Sequence, residues 1–467
     1  MADPIRLVLN GETTSTDCRP DMTVLEWLRG EKLLRGSKEG CAEGDCGACS
    51  VLVKRADEEY FVPANSCIML MGQLEGANLM TVEGIAACGE DGHEIQTLMA
   101  QNGSSQCGFC TPGIVCSLVG LLDRNKAPTD SDIHDALAGN LCRCTGYRPI
   151  VEAARDAASQ GTTQLKGNIQ LSPREVTGSS DCIYYSPETL EDLLELRADH
   201  PNAVLLGGGT DLSLAVAHAK ERWPKIISTR YVSELRTIQG HPDYLRFGGA
   251  VTWEEALPLL DDYWSSFATL VRRFGSTQIR AMGTIAGNLA NASPIGDGAP
   301  CLIAIGARIQ LASRRGERSL SLEKFFLDYR KSELADDEVI VSVTINKPKP
   351  NKRFRAYKIS KRYDQDISTV CGAFNLEVTN GTVTSARIAY GGMAATPMRC
   401  TEAEQVLIGA SLKNEKVWET VKAAIADRFN PLSDMRGSAE YRARIATNLL
   451  DRYLLDIHGE TVEVMAL

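Results

Sequence analysis

The sequence predicts an α+β protein built from several domains, and three observations support this fold class. With 467 residues, the chain is longer than one hydrophobic core usually serves, so about three domains are expected. Eight cysteines in the first third form two groups of four with different spacings. The local pattern also changes along the chain, from strands with one short helix, to helices, and then to alternating helices and strands.

The first domain is expected over residues 1–86. Residues 5–11 have the composition of a strand that ends in a turn, and Thr23 with Glu26 forms a capping box before a short helix. Residues 50–54 are a second strand candidate. The first cysteine group belongs to this domain, and its members are Cys41, Cys46, Cys49 and Cys67.

The spacing of this first group is C-x4-C-x2-C with one distant cysteine, which is the plant-type pattern for a 2Fe–2S cluster. Gly40, Gly44 and Gly47 let the backbone wrap closely around an anionic cluster, with its amides turned toward sulfur. A β-grasp, ferredoxin-like domain is therefore predicted. A zinc site or a disulfide framework is the competing interpretation, although zinc knuckles usually combine two short pairs. The first residues show no secretory signal, which disfavours disulfides and favours a cytoplasmic location.

Residues 87–160 are predicted to form a helical domain that carries the second cysteine group. Helices are expected at about 93–102, 112–124, 130–138 and 149–159, and their start signals include a Thr-Pro sequence, Thr129 with Asp132, and a Tyr-Arg-Pro sequence. The C-x2-C and C-x-C pairs lie where these helices begin or end, and a helix N-terminus lowers the pKa of a nearby thiol. The members of this second group are Cys107, Cys110, Cys142 and Cys144.

After a polar linker at 161–180, an α/β domain is expected over 181–350. The strand at 203–206 leads into a glycine-rich loop, and a second glycine-rich element follows at 283–288. Neither is a G-x-G-x-x-G fingerprint, and a plain tight turn is the alternative for the first loop. In a chain with two cluster motifs, the two loops favour a dinucleotide, and flavin fits because it exchanges one or two electrons.

The last domain is expected over 351–467, from a strand near 355–360 to an amphipathic helix at about 438–457. The net charge of −10 disfavours a nucleic-acid partner, because phosphate binding requires a basic patch. No apolar run reaches the roughly 20 residues that a membrane helix needs, so no membrane span is predicted.

The cysteine and glycine motifs resemble those of the molybdenum hydroxylase family, in particular the small iron–sulfur and flavin subunits of bacterial xanthine dehydrogenases. The similar stretches in the cluster region are 25–29, 38–49, 105–113 and 139–147. Those in the flavin region are 207–211, 284–288, 293–297 and 360–368. The resemblance covers nearly the whole chain.

The resemblance implies two 2Fe–2S clusters and FAD on this chain, with a molybdenum cofactor on a large partner subunit in an α2β2 heterotetramer. Electrons from the conversion of hypoxanthine to xanthine and urate would pass through the helical-domain cluster, the ferredoxin-like cluster and FAD to NAD+. The FAD-binding domain would be of the PCMH type, and the last domain would resemble the C-terminal domain of a carbon monoxide dehydrogenase flavoprotein. No residue of this chain would catalyse the hydroxylation.

The family's motifs also imply roles for single residues. Gln106 would hydrogen-bond the pterin of the molybdenum cofactor, Phe274 would pack against the flavin ring, and Lys358 would lie near the isoalloxazine. The loop at 360–368 would border the flavin face that NAD+ approaches. The remaining implied FAD contacts are Leu206, Gly207, Gly208, Gly209, Thr210, Asp211, Thr284, Gly287, Asn288 and Asp297.

Two other functions stay open from the sequence. An equivalent subunit could serve a large subunit that acts on aldehydes or N-heterocycles, because the substrate contacts would lie on the other chain. A non-catalytic scaffold that only binds clusters is the third hypothesis, and it predicts no flavin. The sequence also leaves open whether NAD+ or dioxygen is the main acceptor.

Overall fold

The computed structural model describes residues 3–89, 92–161, 163, 165, 169–179 and 181–460. It divides into two compact units, which are treated separately below. Unit 1 comprises Met1–Ser233 with Gly275–Gly283, and unit 2 comprises Glu234–Phe274 with Thr284–Leu467. The predicted multidomain α+β fold class is confirmed.

The strands follow one another along the chain as β1 Ile5–Leu9, β2 Glu12–Thr16, β3 Ser50–Lys54, β4 Val62–Asn65, β5 Asn78–Met80, β6 Val176–Ser179, β7 Cys182–Tyr185, β8 Val204–Leu206, β9 Lys225–Ser228, β10 Ile238–Gly240, β11 Tyr244–Gly248, β12 Arg308–Ser313, β13 Gly316–Ser321, β14 Phe326–Asp328, β15 Lys331–Ser332, β16 Val339–Asn346, β17 Lys352–Ile359, β18 Val370–Thr379, β19 Thr382–Gly391 and β20 Met398–Arg399.

The helices are α1 Val24–Gly30, α2 Val82–Ala86, α3 Glu94–Gln101, α4 Thr111–Arg124, α5 Asp130–Leu137, α6 Arg148–Gln160, α7 Leu190–Asp199, α8 Ser213–Ala217, α9 Trp253–Tyr263, α10 Ser265–Phe274, α11 Thr277–Arg280, α12 Ile285–Ala290, α13 Gly298–Ile305, α14 Thr401–Leu407, α15 Glu415–Arg428 and α16 Ala439–His458.

The N-terminal part of unit 1 is a five-stranded sheet in the order β2-β1-β5-β3-β4, in which β1 runs antiparallel to β2 and parallel to β5. Helix α1 begins where predicted, because the Thr23 hydroxyl accepts the Glu26 amide. Trp27 of this helix is fully buried among the apolar side chains of the sheet. The sheet and the helix together support the loop that carries Cys41, Cys46 and Cys49.

Helices α3 to α6 follow and share one apolar core. The capping box of Thr129 and Asp132 is present at α5, as predicted. The start of α4 differs from the prediction, because Thr111 lies inside the helix and Cys110 occupies the cap position. The Thr111 hydroxyl hydrogen-bonds Ser105 at 2.8 Å, so it is engaged away from the helix end.

The third part of unit 1 is a four-stranded sheet in the order β6-β7-β9-β8. Strand β6 lies within the stretch expected to be a linker. Since it pairs with β7 in antiparallel register, the end of that stretch belongs to this sheet. The other residues of that stretch lie partly outside the described residues, namely at 162, 164, 166–168 and 180. The segment 275–283, with α11, also belongs to this unit although it lies far along the chain.

Unit 2 contains two larger sheets. Strands β10-β11-β16-β12-β13 form the first sheet, and helix α13, which is buried along its whole length, packs in the same core. Strands β17-β18-β19-β20 form the second sheet, which α16 covers with Leu449, Leu450 and Tyr453. The apolar face predicted for the last helix is therefore core.

Candidate cofactor sites

The first cysteine group is brought together by the loop before β3 and the turn after β4. Thiol hydrogen bonds from Cys46 and Cys67 lower the pKa of Cys41 far below its ordinary value. The backbone amides of Glu43 and Cys46 also point at the Cys41 sulfur, at 3.4 Å and 3.3 Å. Cys49 contacts Cys67 in turn, so each sulfur of the group lies beside another.

The second group forms two sulfur pairs at the ends of helices. The Cys144 thiol lies 3.5 Å from the Cys107 sulfur, and both residues are exposed. Burial and a contact with Cys142 raise the pKa of Cys110 to about 12. The Tyr147 hydroxyl fixes the loop between the pairs, because it accepts the Cys142 amide at 2.8 Å and donates to the Asn140 carbonyl at 2.7 Å.

Within the described part of the chain, no group of three or more His, Cys, Asp or Glu residues is arranged around a single metal ion. The sulfurs of the first group form a chain of contacts, Cys46–Cys41–Cys67–Cys49, and those of the second group form the pairs Cys107–Cys144 and Cys110–Cys142. A 2Fe–2S cluster takes four cysteine ligands, two on each iron. Each group therefore brings together the number of thiols that one such cluster needs.

The two cysteine loops contact each other directly within unit 1. The Leu141 amide donates to the Cys46 carbonyl at 3.0 Å, and the Asn140 side chain donates to the Gly47 carbonyl at 3.1 Å. Gly47 has φ +66, and a Cβ there would lie 2.0 Å from the Gly139 oxygen. Position 47 must therefore be glycine for two reasons: its backbone has a positive φ, and a side chain would collide with the Gly139 carbonyl.

In unit 1, the first glycine-rich loop of the predicted flavin site meets Gly283, where the second begins. A Cβ on Gly208 would lie 1.8 Å from the Met282 oxygen and 2.9 Å from the Gly283 Cα. Gln73, from the cysteine-loop domain, donates to the Gly208 carbonyl at 3.2 Å. This backbone contact between loops about eighty residues apart is more than a plain tight turn requires. Leu206 and Gly209 are buried, whereas Asp211 at the end of the first loop is exposed.

The other predicted flavin residues lie in unit 2. The Lys358 ammonium donates to Asp297 at 2.6 Å and to Ser368 at 2.7 Å, and all three side chains are buried. Thr284 caps α12 by accepting the Gly287 amide at 2.9 Å. Phe274, at the end of α10, packs edge-on against Trp253 with the ring centroids 5.2 Å apart.

Two buried oxygens near this ion pair, Asn288 Oδ1 and Asp297 Oδ1, have no hydrogen-bond partner among the residues that the structure describes. Buried polar atoms in native proteins are nearly always paired, so a bound group with hydrogen-bond donors would complete the pairing of these two. Both atoms are acceptors. The ribityl hydroxyls of a flavin nucleotide are donors of the kind that fit them.

The loop at 360–368 is held mainly by Arg273, which sequence reasoning missed. The Arg273 guanidinium donates to the carbonyls of Tyr363 and Lys358 at 3.1 Å and 3.2 Å. It also lies over the Tyr363 ring, 4.2 Å from the centroid. Its own carbonyl accepts the Gln365 amide at 2.8 Å. A basic residue directly before Phe274 was the only signal in the sequence.

Four domain families match successive parts of the chain. They are a 2Fe–2S iron–sulfur cluster binding domain at residues 7–72, a [2Fe–2S] binding domain at 81–155, an FAD binding domain in molybdopterin dehydrogenase at 175–348, and a CO dehydrogenase flavoprotein C-terminal domain at 355–457. The xanthine dehydrogenase of Emericella nidulans is 32% identical over 97% of this chain.

The chain belongs to the molybdenum hydroxylase family.

Among other similar members of this family are the xanthine dehydrogenase of Drosophila pseudoobscura pseudoobscura, 30% identical over 97% of this chain, and the quinoline 2-oxidoreductase from Pseudomonas putida 86. The chain of that solved structure is 25% identical, with a TM-score of 0.55, and the match covers 60% of this chain and 98% of that one. A carbon monoxide dehydrogenase chain from Hydrogenophaga pseudoflava shares the fold at 23% identity and a TM-score of 0.56. The chain spans 39% of the length of the two xanthine dehydrogenases.

Membership in the molybdenum hydroxylases bears on the alternatives that the sequence left open. The two 2Fe–2S domain matches support iron–sulfur clusters over zinc, and the FAD domain match contradicts the flavin-free scaffold. No helix in the described ranges is long and apolar enough to cross a membrane. The resemblance stated from the sequence is confirmed at the level of the iron–sulfur and FAD part of the family.

Proposed function

We propose that this chain is the electron-transfer part of a xanthine dehydrogenase, carrying electrons from a molybdenum site on a partner subunit to NAD+. When bound, the clusters would carry single electrons, and the flavin would collect two of them with a proton for transfer as a hydride. The support is the order of domains along the chain and the xanthine dehydrogenases that match 97% of it. The residues of this chain bind these groups, orient them and exclude water.

The surface around the second cysteine group supports the binding of a partner subunit. Cys107 and Cys144 are exposed, and the apolar side chains of Phe109 and Leu141 beside them are 47% and 46% exposed. Exposed apolar side chains grouped at one place mark a surface that another protein covers. We therefore propose that the large molybdenum subunit docks here, in an α2β2 assembly. Gln106 is exposed and donates to the Cys144 carbonyl at 3.2 Å, so it lies on this surface, where it would meet the pterin.

We also propose the ligand roles that the family's motifs imply. The first cysteine group would hold one cluster and the second group the other, in domains bounded at 1–86 and 87–160. FAD contacts are proposed for the residues of the first glycine loop in unit 1, and for Phe274, Thr284, Gly287, Asn288, Asp297 and Lys358 in unit 2. The later domains are proposed over 181–350 and 351–467, and β6, at the end of the expected linker of 161–180, joins the first of them because it pairs with β7.

For the acceptor, we propose NAD+ rather than dioxygen. The loop at 360–368 is fixed at its base by Arg273 and closed within itself, because Asp366 accepts the Arg362 amide at 2.8 Å. Lys361, Arg362 and Asp364 are exposed along it. A preorganised loop with exposed charges of both signs suits the recognition of a charged dinucleotide. A cytoplasmic location, where NAD+ is present, is part of the same proposal.

A second candidate has its own support. The solved quinoline 2-oxidoreductase chain matches this fold over 98% of its length, and its name refers to an N-heterocycle. An equivalent chain could serve a partner that acts on N-heterocycles or aldehydes. The substrate would then be decided by the partner's pocket alone.

Turnover by the purified complex tests the proposal. We expect xanthine to reduce NAD+ in the absence of air, and dioxygen alone to support slower turnover. Quinoline and an aromatic aldehyde, tested in parallel, are expected to be poor substrates. Preference for either of them would favour the second candidate, and faster turnover in air that NAD+ leaves unchanged would contradict the proposed acceptor.

A further inference from the structure

The segment 275–283 lies within the FAD-domain match but belongs to unit 1, together with the two cysteine loops. Its short helix α11 is polar in sequence and yet buried. The Gln278 side chain is 1% exposed and Arg280 is fully buried. Burial of such polar side chains is costly unless each is hydrogen-bonded, so their partners define what this segment does.

The partners of Gln278 come from both cysteine-loop domains. Its amide nitrogen donates to Ser117 Oγ at 2.9 Å and to Asn140 Oδ1 at 3.1 Å, in the helical domain. It also lies 3.4 Å from Ser50 Oγ, in the ferredoxin-like domain. All four side chains are only 1% exposed.

These contacts converge on one carbonyl of the first cysteine loop. Asn140 donates to the Gly47 oxygen at 3.1 Å, and Ser50 donates to the same oxygen at 2.8 Å. Asn140 directly precedes Leu141, whose amide binds the Cys46 carbonyl. The position of Asn140 relative to Gly47 therefore sets the position of one cysteine loop relative to the other.

The surrounding backbone leaves little room for an alternative arrangement. A Cβ on Gly139 would lie 2.2 Å from Gln278 Oε1, and a Cβ on Gly113 would lie 2.0 Å from the Gly47 oxygen. Arg280 anchors the segment by pairing with Asp135 of α5 at 2.6 Å and 3.1 Å, and by donating to the Gly275 carbonyl at 2.8 Å. Arg280 thus adds a second anchor, on α5, that holds the segment and with it Gln278 in place.

We propose that Gln278 is a positioning residue for electron transfer between the two clusters: through Asn140 and Ser50 it fixes the distance between the cysteine loops. The inference rests on the proposed function, because it takes the two cysteine groups to hold two clusters. It adds that the flavin-domain segment 275–283 sets the geometry between those clusters. Gln278 acts through its neighbours and contacts no reacting group.

The test replaces Gln278 by Met, which keeps the length of the side chain and removes its hydrogen bonds. The matched control is Asn375→Leu in unit 2, because the Asn375 amide is also buried and also donates to a carbonyl, that of Ala304 at 3.0 Å. Electron paramagnetic resonance of the fully reduced holoprotein measures the magnetic interaction between the clusters, which depends steeply on their separation. Iron and FAD contents are measured in the same samples.

We expect Gln278→Met to keep its iron and FAD but to lose much of the magnetic interaction, whereas Asn375→Leu keeps it. Electron transfer from the helical-domain cluster onward should also slow measurably, because its rate falls as the separation between the carriers grows. Ser117→Ala, which removes one acceptor of Gln278, should also weaken the magnetic interaction. It replaces Gln278→Met in the test if that variant does not fold.

An unchanged interaction in Gln278→Met, or in Ser117→Ala where that variant replaces it, would overturn this inference and leave the proposed function standing. A wild-type holoprotein without two 2Fe–2S signals would overturn the proposed function and this inference with it. The two failures are therefore distinguishable from one set of spectra.

Discussion

Replacement of Cys144 by Ser is expected to abolish xanthine turnover with NAD+ while leaving the reduction of dyes by NADH largely intact. Cys144 is exposed and its thiol lies 3.5 Å from the Cys107 sulfur, in the cysteine group nearest the proposed partner surface. A serine oxygen is a poor substitute for a thiolate ligand, so the helical-domain cluster should be lost or impaired. This cluster lies upstream of the flavin in the proposed path, and electrons from NADH reach dyes without it.

Both activities are measured on protein with normal FAD content, with Cys18→Ser as the control because Cys18 belongs to neither cysteine group. The control should retain both activities. A parallel loss of both activities in Cys144→Ser would contradict the proposed order of carriers.

Replacement of Gly47 by Ala is expected to destabilise unit 1 far more than the same change at Gly103. Both glycines have φ +66, which costs a residue with a side chain about 1–2 kcal/mol. A Cβ at Gly103 meets no atom within 4 Å, whereas a Cβ at Gly47 would lie 2.0 Å from the Gly139 oxygen and 2.6 Å from Asn140 Nδ2. Overpacking of this kind adds about 1–3 kcal/mol, so the total at Gly47 should be about 2–5 kcal/mol.

Thermal unfolding midpoints and iron content of the two variants measure this difference. Gly47→Ala should show the lower midpoint and the lower iron content, since the clash separates the two cysteine loops. Equal midpoints for the two variants would mean that the loops do not approach each other as closely as described.

The sequence predicted those features whose signal is local. The helix start at Thr23, the capping box at Thr129 and the apolar face of the last helix all depend on residues within one element, and the structure places them as expected. The fold class and the iron–sulfur and flavin family followed from motifs of the same local kind.

The residues that position these motifs were not predictable in the same way. Gln278 contacts partners 138, 161 and 228 residues away, and Arg280 pairs with Asp135 at a separation of 145 residues. Nothing in a short polar stretch distinguishes a buried network from a solvated turn, because burial is decided by other parts of the chain. Arg273 escaped notice for the same reason, since its partners follow some 85 to 90 residues later.

Analysis of iron, acid-labile sulfide and flavin in the purified chain tests the central claim most directly. Two groups of four cysteines and one flavin domain predict about four irons, four sulfides and one FAD per chain. The reduced protein should also give two distinct 2Fe–2S resonance signals. Zinc in place of iron, or iron without FAD, would contradict the assignment of this chain as the electron-transfer part of a molybdenum hydroxylase.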